Sequence, residues 1–308
     1  MEVLLQVGLL IIGFTMLVKG ADYFVDGAAG IATKFGIPQL VVGLTIVAMG
    51  TSAPEAAVSI TGALNGAADI SIGNVVGSNI LNVLIILGVT GFITTVAVQK
   101  STLMIEMPFM LGITVLLIFL GMSGNELTFV EGVILWACFI AYLAYLYVLA
   151  KKGTEEEATE DRAVWKLILF ILVGGAVVVW GANISVDAAT AIATAIGISE
   201  RFIGLTIVAL GTSLPELVAS VTAAKKGNAD IAIGNIVGSN IFNILFVLGT
   251  SALITPIPYQ STFLVDGIVA VLAGVLLWVA TIGKKELSRP WAIVMLLGYV
   301  AYFIYLLA

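Results

Sequence analysis

The stretch Gly43-Leu44-Thr45-Ile46-Val47-Ala48-Met49-Gly50-Thr51-Ser52-Ala53-Pro54-Glu55 returns as Gly204-Leu205-Thr206-Ile207-Val208-Ala209-Leu210-Gly211-Thr212-Ser213-Leu214-Pro215-Glu216. A shift of 161 residues aligns Gly43–Thr94 with Gly204–Thr255 without a gap, and 32 of those 52 positions are identical. Within the same alignment, Gly73-Asn74-Val75-Val76-Gly77-Ser78-Asn79-Ile80-Leu81-Asn82 matches Gly234-Asn235-Ile236-Val237-Gly238-Ser239-Asn240-Ile241-Phe242-Asn243. The chain therefore carries two copies of one apolar unit, each with a glutamate inside it.

The apolar runs extend well beyond these motifs. Of 308 residues, 60% are hydrophobic and only 10% charged, with a mean hydropathy of +1.16. A soluble domain needs about 25% charged residues to cover its surface, so the composition excludes one. Runs of roughly 20 apolar residues are long enough to cross a bilayer as helices. They fall at 3–25, 38–62, 71–94, 103–121, 128–150, 164–188, 202–224, 232–254, 262–282 and 291–307. The first run lacks a basic start and is not expected to be a signal peptide. Residues 1–150 and 164–308 each hold five spans, separated by the acidic linker 151–163. Five is odd, so the second copy enters the membrane in the opposite sense. The expected fold is an all-α integral membrane protein of ten transmembrane helices, arranged as two inverted five-helix repeats. Substrate sites in that plan lie at the repeat interface near the midplane.

Charge gives the orientation. Loops after odd-numbered spans carry Lys34, Lys100, Lys151, Lys152, Arg162, Lys166, Lys225, Lys226, Lys284, Lys285 and Arg289, whereas the opposite loops carry only Arg201. The positive-inside rule then places both termini outside and the linker in the cytoplasm, in a multi-pass protein of the cell membrane. A net charge of −6 and the absence of any long basic cluster argue against nucleic acid. The lipid bilayer is the expected partner, and no obligatory protein partner is visible. There is no His, which removes imidazole catalysis, most zinc and haem sites, and Ser–His nucleophiles. The single Cys138 allows no intramolecular disulfide.

Most acids lie in loops or near helix ends, but Glu55 and Glu216 do not. A carboxylate deep in a membrane helix costs at least about 2.5 kcal/mol and marks an ion or substrate path. The competing reading is a protonated Glu bonded to a neighbouring helix. Helix packing explains Gly73-x-x-x-Gly77 and Gly234-x-x-x-Gly238, though not acids and amides repeated at matching places. Pro54 and Pro215 leave the carbonyls of Gly50 and Gly211 without a helical donor, so each helix should break there. Such a break is tolerated only where it lines a cavity or is buried in protein. Freed carbonyls, hydroxyls and carboxylates are the oxygen ligands that a hard cation takes. Thr51 and Ser52 lie four and three residues before Glu55, on its helix face; Thr212, Ser213 and Glu216 repeat the pattern. Asn74, Ser78 and Asn82 form a stripe at four-residue spacing, as do Asn235, Ser239 and Asn243. Asn74 and Asn235 are expected to bond between helices, and Asn79 and Asn240 to point elsewhere.

Gly-Thr-Ser-x-Pro-Glu followed by Gly-Ser-Asn-Ile-x-Asn, twice, resembles the α-repeats of the calcium/cation antiporter superfamily, particularly the sodium/calcium exchangers. That resemblance covers essentially the whole chain. It implies an ion-site cluster made of the Ala48 carbonyl, Thr51, Ser52, Glu55, Ser78 and Asn82, together with the Ala209 carbonyl, Thr212, Ser213, Glu216, Ser239 and Asn243. It further implies a sodium/calcium antiporter with no cofactor, calcium and sodium being the transported ions. Several members, including potassium-dependent ones, carry Asp at the position of Asn82 or Asn243. Amides at both weaken the case for potassium co-transport and leave two ionisable groups. Glu55 and Glu216 give a charge of −2, which one Ca²⁺ or two Na⁺ would neutralise, so that a loaded site crosses the membrane more easily than an empty one. A third sodium, implied by the resemblance, would make exchange electrogenic. The alternative is a calcium/proton antiporter, since burial raises a carboxyl pKa. An enzyme is not expected, for want of a His base or of paired intramembrane Asp. Thr51 and Ser52 with Ser78 are expected to serve one vestibule, and Thr212 and Ser213 with Ser239 the other. Gly20-Ala21 and Gly181-Ala182 suggest that helices 1 and 6 move.

Overall fold

The computed structural model describes residues 2–66, 68–152, 160–197 and 209–307. Helix α1 (Glu2–Phe35) opens the chain. It stops at Gly36, whose φ of +62° is a left-handed conformation that glycine adopts without strain. Helices α2 (Gln39–Thr51) and α3 (Ala53–Leu64) form a pair bent by 51°. The hinge is Ser52, whose ψ of 7° is not helical. Pro54 follows in the first turn of α3, where its missing N–H removes no helical bond. Helices α4 (Ile70–Ile93), α5 (Thr102–Gly124) and α6 (Phe129–Lys152) complete the first copy.

The second copy repeats this course. Helix α7 (Val164–Ala195) is closed by Gly197 at φ +85°. Short α8 (Ala209–Thr212) meets α9 (Leu214–Lys225) at Ser213, whose ψ is 6°. Helices α10 (Ala229–Ile254), α11 (Ser261–Ile282) and α12 (Arg289–Leu307) follow. Among the described residues, eight helices are long and apolar enough to cross a membrane, and nine when α2 and α3 count as one span. The expected span at 202–224 begins on residues 201–208, and Arg201 and most of the linker also lie outside the described residues.

Two expected helix ends need correction. Helices α1 and α7 run to Phe35 and Ala195 rather than to 25 and 188, because each continues until a glycine terminates it. The chain is also not purely helical. Strand β1 (Val96–Ala97) pairs antiparallel with β4 (Glu286–Leu287), and β2 (Glu126–Leu127) with β3 (Ile257–Pro258). Each ladder joins a loop of one copy to a loop of the other, so the joined loops share a membrane face.

Burial sorts the helices into a centre and a periphery. In the most apolar 18-residue stretch of each helix, 94% of residues are buried in α10 and 72% in α4, against 17% in α1 and 11% in α12. Glycine lets α10 lie on α2: a Cβ at Gly238 would stand 2.8 Å from the Leu44 Cα and carbonyl oxygen. Helices α1 and α7 pack antiparallel on each other. A Cβ at Gly20 would meet Val178 N at 2.8 Å and Gly174 O at 2.9 Å, and Gly13 faces Gly181 O at 2.9 Å. At one end of this pair, Lys34 Nζ donates to Glu160 O at 2.8 Å, and the Arg162 guanidinium binds the Glu160 carboxylate at 2.7 Å. The Arg162 hydrogen bonds, reinforced by the Arg162 and Lys34 charges, pull the Glu160 carboxyl down to about 2.

Candidate cation site

The two helix breaks place Glu55 and Glu216 in the first turns of α3 and α9. There the partial positive charge of a helix N-terminus favours a carboxylate. Both glutamates are buried, at 1% and 0% exposure. Among the described residues the ion pairs join Arg162 to Glu160 and Lys226 to Asp22 and Asp26; none reaches either glutamate.

The site is wired across the two copies. Ser52 Oγ donates to Glu216 Oε1 at 2.9 Å, and Ser213 Oγ donates to Glu55 Oε1 at 3.1 Å. Each break thus serves the opposite carboxylate. Ser78 stands 3.5 Å from Ser213, and Ser239 donates to Ala48 O at 3.4 Å. The expected grouping of Ser78 with Thr51 and Ser52, and of Ser239 with Thr212 and Ser213, is therefore corrected. Helix α10 packs on α2, and each serine faces the break of the other copy.

The remaining candidates fall around this centre. Thr51 Oγ1 donates to Asn235 Oδ1 at 3.0 Å and lies 3.3 Å from Ala48 O. The Ala48 carbonyl also accepts from Ser52 N at 3.0 Å. Ala209 opens α8 and Thr212, half-buried, closes it. Asn74 Nδ2 donates to Ser59 Oγ and Glu55 O, and Asn235 Nδ2 to Ser220 Oγ and Glu216 O. These are the expected interhelical bonds, and they anchor the glutamate turns.

Asn79 and Asn240 do more than point elsewhere. Asn79 Nδ2 donates to Asn240 O at 3.1 Å, and Asn240 Nδ2 donates to Asn79 O at 3.2 Å. A main-chain carbonyl only accepts, so both amides are fixed in orientation. Their Oδ1 atoms then accept from Asn243 Nδ2 at 3.2 Å and Asn82 Nδ2 at 3.0 Å. This turns the Oδ1 atoms of Asn82 and Asn243 away from the clasp, where they have no partner. A π-helical turn starts at each of these residues, Asn82–Leu87 and Asn243–Leu248. Such bulges re-aim side chains and are frequent at functional sites.

Among the described residues, four buried oxygens of this centre lack a hydrogen-bond partner: Glu55 Oε2, Glu216 Oε2, Asn82 Oδ1 and Asn243 Oδ1. All four are acceptors, drawn evenly from the two copies. An unsatisfied buried polar atom is costly, and four acceptors in one acidic centre call for positive charge. Among the described residues no three His, Cys, Asp or Glu cluster. The donor set is all oxygen, suited to a hard cation and not to a soft metal.

Fold and geometry together are those of a multi-pass membrane protein with an acidic, all-oxygen centre buried between its two copies. The chain belongs to the sodium/calcium exchanger family, whose protein model matches residues 5–148 and 166–308. It is 34% identical over 342 aligned residues to the sodium/calcium exchanger MaX1 of Methanosarcina acetivorans, covering 97% of each chain. It is 40% identical over 255 residues to the putative antiporter CaxA of Alkalimonas amylolytica, covering 80% of each. Among solved structures, it matches the sodium-calcium exchanger NCX_Mj soaked with zero Na⁺ and Ca²⁺. That match has a TM-score of 0.86 and 32% identity, and covers 99% of each chain. The family is one of cation exchangers that transport calcium, and no enzymatic activity is indicated.

Proposed function

We propose that this chain exchanges sodium for calcium by alternating access at the paired-glutamate site. The observation that carries this reading is the set of four unpartnered acceptor oxygens, one carboxylate and one amide from each copy. Calcium is held by both carboxylates and both amides. Sodium ions are held by the same oxygens with the hydroxyls of Thr51, Ser52, Ser78, Thr212, Ser213 and Ser239 and the carbonyls of Ala48 and Ala209.

Obligatory exchange follows from electrostatics. The empty site holds two carboxylates in a low-dielectric centre with no cationic side chain bound to either, a state that resists enclosure. One calcium or two sodium ions cancel the charge, so the protein switches sides loaded. Ten spans in two inverted repeats, with both termini outside and the linker cytoplasmic, complete the proposal. The two loop-to-loop ladders support it, since each joins loops to which the charge asymmetry assigns the same side. Cysteines replacing Thr159 and Lys284 should react from the cytoplasm and one replacing Asp69 from outside, in a Cys138→Ser background. Reaction of the Thr159 and Asp69 variants from one face would defeat the inverted arrangement.

The central test is calcium uptake by purified protein in liposomes. An outward sodium gradient should drive it, and a proton gradient without sodium should not. The proton gradient bears on the second reading, calcium/proton antiport, which a pair of buried carboxyls also permits. Uptake driven by protons alone would replace the sodium reading with that one.

A further inference from the structure

A third buried carboxylate lies outside the central site. Glu106, in α5, is 0% exposed and faces Tyr142 and Tyr145 of α6. Tyr145 donates its hydroxyl to Glu106 Oε1. Glu106 Oε2 has no partner, and neither has the hydroxyl of Tyr142, itself 4% exposed. With Ile105, Phe109 and Ala141 these three residues line a cavity of about 250 Å³.

The second copy shows what this arrangement departs from. Ser101-Thr102-x-x-x-Glu106 reappears as Ser261-Thr262-x-x-x-Asp266, and Ala141-Tyr142-x-x-Tyr145 as Ala301-Tyr302-x-x-Tyr305. There the hydroxyl of Tyr302, the counterpart of Tyr142, donates to Asp266 at 2.8 Å and the pair closes on itself. In the first copy the longer Glu106 reaches Tyr145 instead. Tyr142 is left unpaired and a cavity opens between acid and phenol.

The chemistry of the cavity restricts its occupant. A bare hard cation takes about six oxygens, and only two unpartnered ones line this space. A purely apolar chain would leave both unsatisfied. A quaternary ammonium has no N–H to give them. We propose that the cavity binds the primary ammonium head of a membrane-borne alkylamine, independently of the exchange reading. Its N–H groups donate to Glu106 Oε2 and the Tyr142 hydroxyl. Its charge rests beside the rings of Phe109 and Tyr142, which stack at 5.5 Å. The alkyl stem leaves past Ile105, 46% exposed on the outer surface of α5. Glu106 lies four residues from the start of α5 at Thr102, or about 6 Å along the helix axis. A head group anchored at the membrane edge reaches that depth.

The test uses full-length protein in phosphatidylcholine nanodiscs, whose own head groups carry no N–H. Binding of dodecylammonium is measured by equilibrium dialysis, with dodecanol as the neutral counterpart. Saturable binding of one amine per chain is expected. It should weaken at least tenfold in Glu106→Gln, several-fold in Tyr142→Phe, and not at all in Asp266→Asn. Calcium exchange by Glu106→Gln at the native rate would show that this variant is folded; if it does not fold, Tyr142→Phe decides. Equal amine binding by native and variant proteins would overturn the proposal. So would dodecanol binding with the same dependence on Glu106.

Discussion

The central helices and the α1–α7 pair are held together in different ways. At the centre, 94% of the most apolar stretch of α10 is buried, and its asparagines bond to named partners in the other copy. The outer pair is less buried and meets itself backbone to backbone at glycines. Directional bonds fix the geometry of a site, whereas smooth glycine contacts leave two helices one common axis of movement. The ties from α1 to the motif helices include the Lys226 ammonium, 2.8 Å from Asp26 and 3.2 Å from Asp22. If binding belongs to the centre and movement to the periphery, the two regions should answer differently to substitution.

The largest effect should come from the centre. Glu55→Gln or Glu216→Gln removes one of the two charges that calcium needs, a loss of about 3–5 kcal/mol. Calcium exchange should fall more than a hundredfold in flux assays while the protein remains folded. Native-rate uptake in either variant would remove the glutamates from the site. Next, Gly20→Val should separate the outer helices, since its side chain would enter α7 backbone; overpacking of this kind costs about 1–3 kcal/mol. Exchange should fall strongly while calcium binding to detergent-solubilised protein persists. Equal loss of both would collapse the division between binding and movement.

Smaller effects sharpen the same contrast. Asn240→Ala releases the amide of Asn82, at a cost of about 1–2 kcal/mol. Apparent calcium affinity should drop roughly five- to thirtyfold, as measured by calcium-dependent uptake. Ser78→Ala and Ser239→Ala each remove a hydroxyl worth about 1 kcal/mol. Sodium affinity should change several-fold, from opposite membrane faces, with calcium affected less; equal changes from both faces would dissolve the pairing of Ser78 with Ser213. The smallest effect concerns the linker. The Glu160 carboxyl is depressed to about 2 by Arg162, so its contribution is present above its ordinary value and lost as pH falls through about 2. Proteolysis of the linker should quicken as pH drops from 5 towards 2, and Arg162→Ala should remove that dependence.

Much of the centre was legible in the sequence because its signals are local. Pro54 and Pro215 announce the breaks, Glu55 and Glu216 the charge, and four-residue spacing the asparagine stripes. What the sequence did not yield depends on the partner copy. Asn79 lies beside Ser78 in the chain, yet it turns to the line where the copies meet, and helical periodicity within one copy cannot locate that line. The signal was there in another form: an amide kept at both Asn79 and Asn240 in apolar runs that must meet. The π-turns at Asn82 and Asn243 leave no mark in composition. The crossing of Ser52 to Glu216 was hidden for the same reason as the clasp.

The 34 residues of α1 extend about 50 Å, against a hydrocarbon layer of about 30 Å. A rod of that length cannot stand upright inside the layer; it leans or emerges, and α7 beside it does the same. Any change in its lean alters how much apolar surface meets lipid, and the bilayer answers elastically by thinning or thickening around it. In any cycle that tilts α1, membrane thickness would act as a mechanical load borne by the lipid.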